Sequence, residues 1–214
     1  MILADGFADV AALGEVALSL PAEPGLLLYR NQEWSVPTYE IFGMPADIDP
    51  LAARIRDISG QNVGIQEVGF DAVELLRVES GVPKSGKEIT DQVNPLEAGL
   101  GRFISSTKGC YIGQEVVARL DTYKKLQRTL KGFIFPEKYQ DTTPGTLIVG
   151  GTQVGWTTSH VLSAQIGKHV ALGYIKIFPE PNSVIFTTGG GGSEVPVDVV
   201  ELPLVPSAGP FPTE

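Results

Sequence analysis

The chain has one cysteine and two histidines among its 214 residues. A single cysteine excludes an intrachain disulfide and suits a reducing compartment. One thiol and two imidazoles fall short of the roughly four ligands of a usual zinc or iron–sulfur site, so no metal site within this chain alone is expected. Long apolar runs are missing as well. The longest, such as Gly25-Leu26-Leu27-Leu28-Tyr29, are far below the ~20 residues of a membrane helix. Met1-Ile2-Leu3-Ala4-Asp5 has neither the basic start nor the continuous apolar stretch of a secretory signal. There is no positive surplus either: the formal net charge is −9. This argues against general binding to nucleic acid or anionic membranes, so an anionic ligand would have to be held by a local basic cluster.

What is present reads as an α+β protein of mixed texture. Val16–Leu20, Leu26–Arg30 and Thr38–Phe42 have strand character, and Pro21-Ala22-Glu23-Pro24-Gly25 is a turn cluster. With no evident return element, these strands read as part of a sheet completed by other segments. A helix is expected from Asp49 as N-cap and Pro50 as first helical residue, with Leu51, Ile55 and Ile58 on one face and Gly60 closing it. A second helix is expected over Phe70–Ser80, stopped by Gly81 and Pro83. Arg77 on that helix reads either as a surface arginine paired with Glu74 or Glu79, or as a ligand contact. Gly81-Val82-Pro83-Lys84-Ser85-Gly86-Lys87-Glu88 nearly spells a phosphate-binding loop. It follows a helix rather than a strand, and Glu88 stands where a magnesium-binding hydroxyl is required, so we reject that reading.

From Gly132 onward the pattern changes to short strands separated by glycine: Gly132–Phe135, Thr146–Val149, Thr152–Thr158 and His169–Ile175, with Gly150-Gly151 as a hairpin turn. This predicts a small barrel or sandwich. A last strand is expected within Val195–Leu202, and then a loose tail. The resulting division is 1–130, 131–205 and a flexible tail over 206–214.

The segment richest in chemistry is Lys108-Gly109-Cys110-Tyr111-Ile112-Gly113-Gln114-Glu115. Its glycines permit a sharp turn, and Gln114–Leu120 has helical composition. A lysine and a helix N-terminus are surroundings that favour a reactive thiolate, whereas a lone cysteine is otherwise a small buried hydrophobe. Cys110 with Lys108 is therefore the candidate catalytic pair. A cysteine hydrolase would need His160 or His169 beside it, and the sequence places the first in a turn and the second in a strand, both in the later domain. Tyr123–Lys131, the densest basic segment, reads as a solvated face or as an anion-binding patch near the thiol.

Lys108–Glu115, followed by Val117-Ala118-Arg119, resembles the signature of the YgfZ-type folate-binding proteins, which are relatives of glycine-cleavage aminomethyltransferase. Leu75–Pro83, Asn94–Leu100 and Gly150–Tyr174 resemble further elements of that family, so the likeness spans roughly residues 35–178. The resemblance implies a remnant of an aminomethyltransferase-like folate-binding domain followed by a C-terminal β-barrel. It also implies tetrahydrofolate as cofactor, with Glu40 on the pterin ring, Arg77 near the folate's glutamate tail, and Tyr111 and Gln114 completing the binding set. Iron–sulfur cluster assembly proteins are the implied partners, and a partner chain would supply the other ligands of any cluster that Cys110 touches. The chain looks shortened at its N-terminus, without the half that carries the transferases' aspartate, and Gln32–Pro37 replaces their Thr-Gly-Glu turn. The expected function is a folate-dependent accessory role in iron–sulfur cluster assembly or repair. The alternatives are a one-carbon (aminomethyl) transferase or a degenerate fragment without folate binding. The expected location is a bacterial cytoplasm, or a plastid or mitochondrion after transit-peptide removal.

Overall fold

The structure, a computed structural model, describes residues 18–19, 25–31, 33–60, 66–105, 109–110, 113–115, 126–177, 184–188 and 194–206. The chain divides into two compact units, one of Met1–Leu76 with Pro206–Glu214 and one of Arg77–Val205.

The first unit holds an antiparallel sheet of β1 (Leu18–Ser19), β2 (Leu27–Asn31) and β3 (Thr38–Phe42). Leu27 faces Phe42 across the β2–β3 pair, and Tyr29 faces Glu40. Leu26, Leu28 and Ile55 are its buried apolar residues. Ile55 lies on α1, which runs from Pro45 to Gly60 and so begins before the expected Asp49. The reason lies in the first turn: the Met44 carbonyl accepts from Asp47 N–H at 2.9 Å and Ile48 N–H at 3.0 Å. Pro45 thus takes the first helical position, where a missing N–H costs nothing, and Pro50 falls inside the helix.

α2 spans Phe70–Ser80, as its spacing predicts. Gly81 ends it with φ of +73°. Gly81 N–H bonds Val78 O and Val82 N–H bonds Arg77 O, both at 3.0 Å, so two orphan carbonyls of the last turn are satisfied. A side chain at 81 would be strained by this φ and would lie 2.9 Å from the Cβ of Leu202.

The second unit is organised around a closed six-stranded barrel of β4 (Arg128–Ile134), β5 (Thr146–Val149), β6 (Thr152–Leu162), β7 (His169–Lys176), β8 (Val184–Thr187) and β9 (Val195–Val200). Their order is β4-β7-β6-β5-β8-β9, antiparallel throughout, and β9 pairs with β4 to close the ring. Closure removes the exposed strand edges of an open sheet. β7 explains the continuous apolar run at 170–175. Ala171 and Ile175 pack with Phe133, Leu147 and Phe186 in one core, while Val170, Leu172 and Tyr174 pack with Val78, Ala98 and Leu204 in another. Strand residues alternate faces, so a strand covered on both sides has no polar alternation to show. Where β6 crosses β7, Gly155 is obligatory: a Cβ there would meet Tyr174 O at 2.0 Å.

Three expectations are revised here. β6 runs on to Leu162, so His160 lies in a strand and not in a turn. β8 has no counterpart among the expected strands. The segment after Leu202 stays attached over its first residues, since Leu204 is buried and Val205 N–H donates to Glu79 O at 3.0 Å. Residues 207–214, the rest of the expected tail, lie outside the described residues.

Candidate functional site

Glu88 is fully buried and its carboxylate collects four donors. Oε2 accepts from Arg77 Nη1 at 3.1 Å and from Lys84 N–H at 3.0 Å. Oε1 accepts from Thr158 Oγ1 at 2.5 Å and Ser159 Oγ at 2.7 Å. Adjacent strand residues normally point to opposite faces. Thr158 and Ser159 reach one oxygen because the β6–β7 register shifts between Thr157 and His160, a bulge that re-aims side chains. Arg77, itself buried, also donates to Val82 O at 2.7 Å and Ser159 Oγ at 2.6 Å. Tyr174 Oη closes the network on Glu88 O at 2.9 Å. Burial, and then the Glu88 and Glu97 charges, push the Tyr174 phenol well above its ordinary range. The sequence leaves Arg77 either as a surface group paired with Glu74 or Glu79 or as a ligand contact; it is buried and pairs with the glutamate of the rejected phosphate loop.

The turn at Asn94–Gly99 docks in the same unit. Asn94 Oδ1 accepts Leu96 N–H at 2.9 Å, and Glu97 Oε2 accepts Asn94 N–H at 3.1 Å and Arg128 Nε at 3.0 Å. Leu130 N–H bonds Glu97 O at 2.9 Å. Arg128 also lies over the Trp156 ring, 5.0 Å from its centroid, and donates to Gln92 O. Lys131 pairs with Glu201. Two cations of the basic segment therefore meet named partners, and Tyr123–Lys125 lie outside the described residues.

Of the motif, Cys110 is exposed with its thiol free. Gly109 is exposed too, Gly113 turns with φ of +87°, and Gln114–Glu115 are helical, with Gln114 half-buried. Lys108, Tyr111 and the expected helix over 116–120 lie outside the described residues. Glu40, half-buried on β3, accepts Asn31 Nδ2 at 2.6 Å through Oε1. Glu40 belongs to the first compact unit, and Arg77, Cys110 and Gln114 to the second. Among the described residues no group of three or more His, Cys, Asp or Glu side chains is placed to hold a metal ion, and no helix is long and apolar enough to cross a membrane.

Two family models match this arrangement: the GCVT N-terminal domain over residues 37–108, and the glycine cleavage T-protein C-terminal barrel domain over residues 128–206. The chain belongs to the glycine cleavage T-protein-like superfamily. Its mixed helix-and-sheet fold, ending in a six-stranded barrel, is that superfamily's fold. The crystal structure of the glycine cleavage system aminomethyltransferase T from Bartonella henselae matches it with a TM-score of 0.71 at 22% identity, over 94% of this chain and 56% of that one. An aminomethyltransferase of Streptomyces avermitilis is 29% identical over 207 residues, covering 94% of this chain and 54% of the relative. A chloroplastic protein of Arabidopsis thaliana, named as a transferase, is 40% identical over 114 residues, covering 53% of this chain and 26% of the relative. This T-protein-like chain thus spans about half the length, or less, of the relatives it matches.

The buried network escaped sequence reasoning. Glu88 carries no local sign of burial, and its partners Thr158 and Ser159 lie 70 and 71 positions away.

Proposed function

We propose that the chain is a tetrahydrofolate-binding protein of the YgfZ type, acting in iron–sulfur cluster assembly or repair with Cys110 as its reactive thiol. The observation that carries this reading is the pairing of a free, exposed thiol in the Lys108–Glu115 motif with a glycine cleavage T-protein-like fold. Folate binding is supported by the chemistry on β2 and β3. Among the described residues Glu40 Oε2 accepts no hydrogen bond, and Tyr29, directly opposite, is exposed. A carboxylate beside an aromatic ring suits a flat heterocycle with N–H donors, such as a pterin. Bound folate would supply a one-carbon carrier; Glu40 would orient it and Tyr29 would shield one face from water. Lys108 would favour the thiolate of Cys110. Arg77 chemically matches a folate carboxylate. Its buried contacts with Glu88 and Ser159 support a positioning role, in which it holds the loop after α2 against β6. The iron–sulfur partners would supply the remaining ligands of any cluster that the thiol touches, and a reducing compartment such as bacterial cytoplasm or plastid stroma suits a lone thiol.

Isothermal titration of the full chain with tetrahydrofolate, together with rescue of iron–sulfur enzyme activity by Cys110→Ser in a strain lacking the protein, tests this reading. Saturable binding and failed rescue are expected; rescue equal to the unsubstituted chain refutes the role of the thiol. The aminomethyltransferases among the relatives favour a second reading, transfer of an aminomethyl or other one-carbon group from folate. In that case folate-dependent turnover would survive Cys110→Ser.

A further inference from the structure

Five rings meet at one end of the barrel. Phe135, just past β4, stacks on Tyr139 at 4.3 Å and 20°. It lies 5.3 Å from the His160 ring and 5.0 Å from Phe186. Tyr139 in turn meets His169 edge-on at 6.1 Å. Tyr139 and Phe186 also wall a cleft of about 450 Å³ whose rim carries Lys138 and Asp141. Packed as it is, this cluster is incompletely satisfied. Among the described residues, Tyr139 Oη, His160 Nδ1 and His169 Nδ1 are buried without a hydrogen-bond partner, which native interiors rarely tolerate. His160 Nε2 and Thr157 Oγ1 share a hydrogen bond of 2.7 Å, so either tautomer leaves Nδ1 unmet.

Tyr139 is carried on the connection from Pro136 to Gly145. That connection is braced internally, by Tyr139 N–H on Pro136 O and Thr143 N–H on Asp141 Oδ1, both at 2.9 Å. It is tied to β6 at its far end, where Gly145 and Thr157 exchange two bonds of 2.9 Å. Between these points the rings hold it down.

We infer that His160 is a proton-operated latch: its protonation expels Tyr139 from the ring cluster, lifts the Pro136–Gly145 connection and opens the cleft beneath. Among the described residues a second N–H on the imidazole would have no acceptor at Nδ1, and its charge would be buried against Phe135 and Phe186, the two rings on which Tyr139 itself packs. The groups facing His160 are divided. Asp141 favours the charged ring, while His169 and Lys87 oppose it, and burial outweighs them all, holding the imidazole down at about 4. Opening restores water to the ring and to all three unpartnered atoms, so acid favours the open form.

Hydrogen exchange of the full chain at about pH 5 and about pH 7.5, corrected for intrinsic rates, tests the latch. An imidazole that moves from about 4 when closed towards its ordinary 6.5 when open makes the 136–145 amides open about thirty-fold more at the lower pH, while β7 stays protected. Equal protection at both pH values, or simultaneous loss in β7, overturns the proposal. His160→Phe keeps a ring and removes the proton, so it should abolish the pH dependence; persistence of that dependence also overturns it. Should that variant not fold, the unsubstituted chain decides, because an imidazole that takes up its proton while 136–145 remains closed refutes the latch.

Discussion

Arg77 Nη1 and Glu88 Oε2 lie 3.1 Å apart, with side chains almost wholly shielded from water. Glu88 would be an uncompensated buried charge without its donors, and its removal takes from the buried Arg77 an ion-pair partner. Glu88→Ala should therefore destabilise the fold by about 3–5 kcal/mol, the usual cost of breaking a buried pair from one side. Urea unfolding followed by tryptophan fluorescence measures it. A loss below about 1 kcal/mol would mean that the network is not closed as described.

Stability should fall in acid because of His160. Its folded value is held to about 4 by burial, against an ordinary 6.5. Between these values the unfolded chain binds the proton and the folded chain does not, so stability is full above about 6.5 and is lost as pH falls towards 4. The full drop is about 3 kcal/mol. Melting curves across this window should show the loss, and His160→Phe should flatten it. Unchanged acid sensitivity in that variant would place the cause among the carboxylates.

Gly155→Ala should prevent the barrel from closing. The added Cβ would meet the Tyr174 carbonyl oxygen at 2.0 Å, and strand backbone in a closed ring cannot give way locally. A cost at or above the ~3 kcal/mol upper range of overpacking is expected. Circular dichroism and yield of folded chain report it; a variant with a normal melting temperature would contradict the close β6–β7 crossing.

On the proposed folate reading, Glu40→Gln should weaken tetrahydrofolate binding by roughly ten- to a hundred-fold, the worth of hydrogen bonds to a charged group, while leaving stability nearly unchanged because Glu40 is only half-buried. Calorimetric titration provides the affinity and a melting curve the control. An unchanged affinity would place the pterin elsewhere.

Local chemistry sufficed wherever a residue's reason for being there lies within a few positions. Phe70–Ser80 was legible as a helix because its spacing, its acidic first turn and Gly81 agree. Thr146–Val149 and the hairpin at Gly150-Gly151 were legible from β-branched residues and the turn. At α1 two prolines competed for one position, and the turn that chose Pro45 depends on the carbonyl of Met44. β8 is four residues long and exists because β5 and β9 pair with it; alone it has too little pattern to announce itself. The end of β6 looked like a turn because Ser159 and His160 are polar, yet Ser159 bonds Arg77 and Glu88 from other elements and the His160 ring packs on Phe135 and Phe186.

The motif Lys108–Glu115, the single thiol and the alternation of short strands after Gly132 follow from residue order alone, because each depends on neighbours that the chain itself supplies. Residue order was mute about the partner of Arg77, about the four donors that saturate Glu88, and about the ring cluster that shields His160. Those depend on burial, which removes water as the competing partner and so turns ordinary polar side chains into a network with one arrangement. Such an arrangement exists only once α2, its following loop and the barrel strands have met.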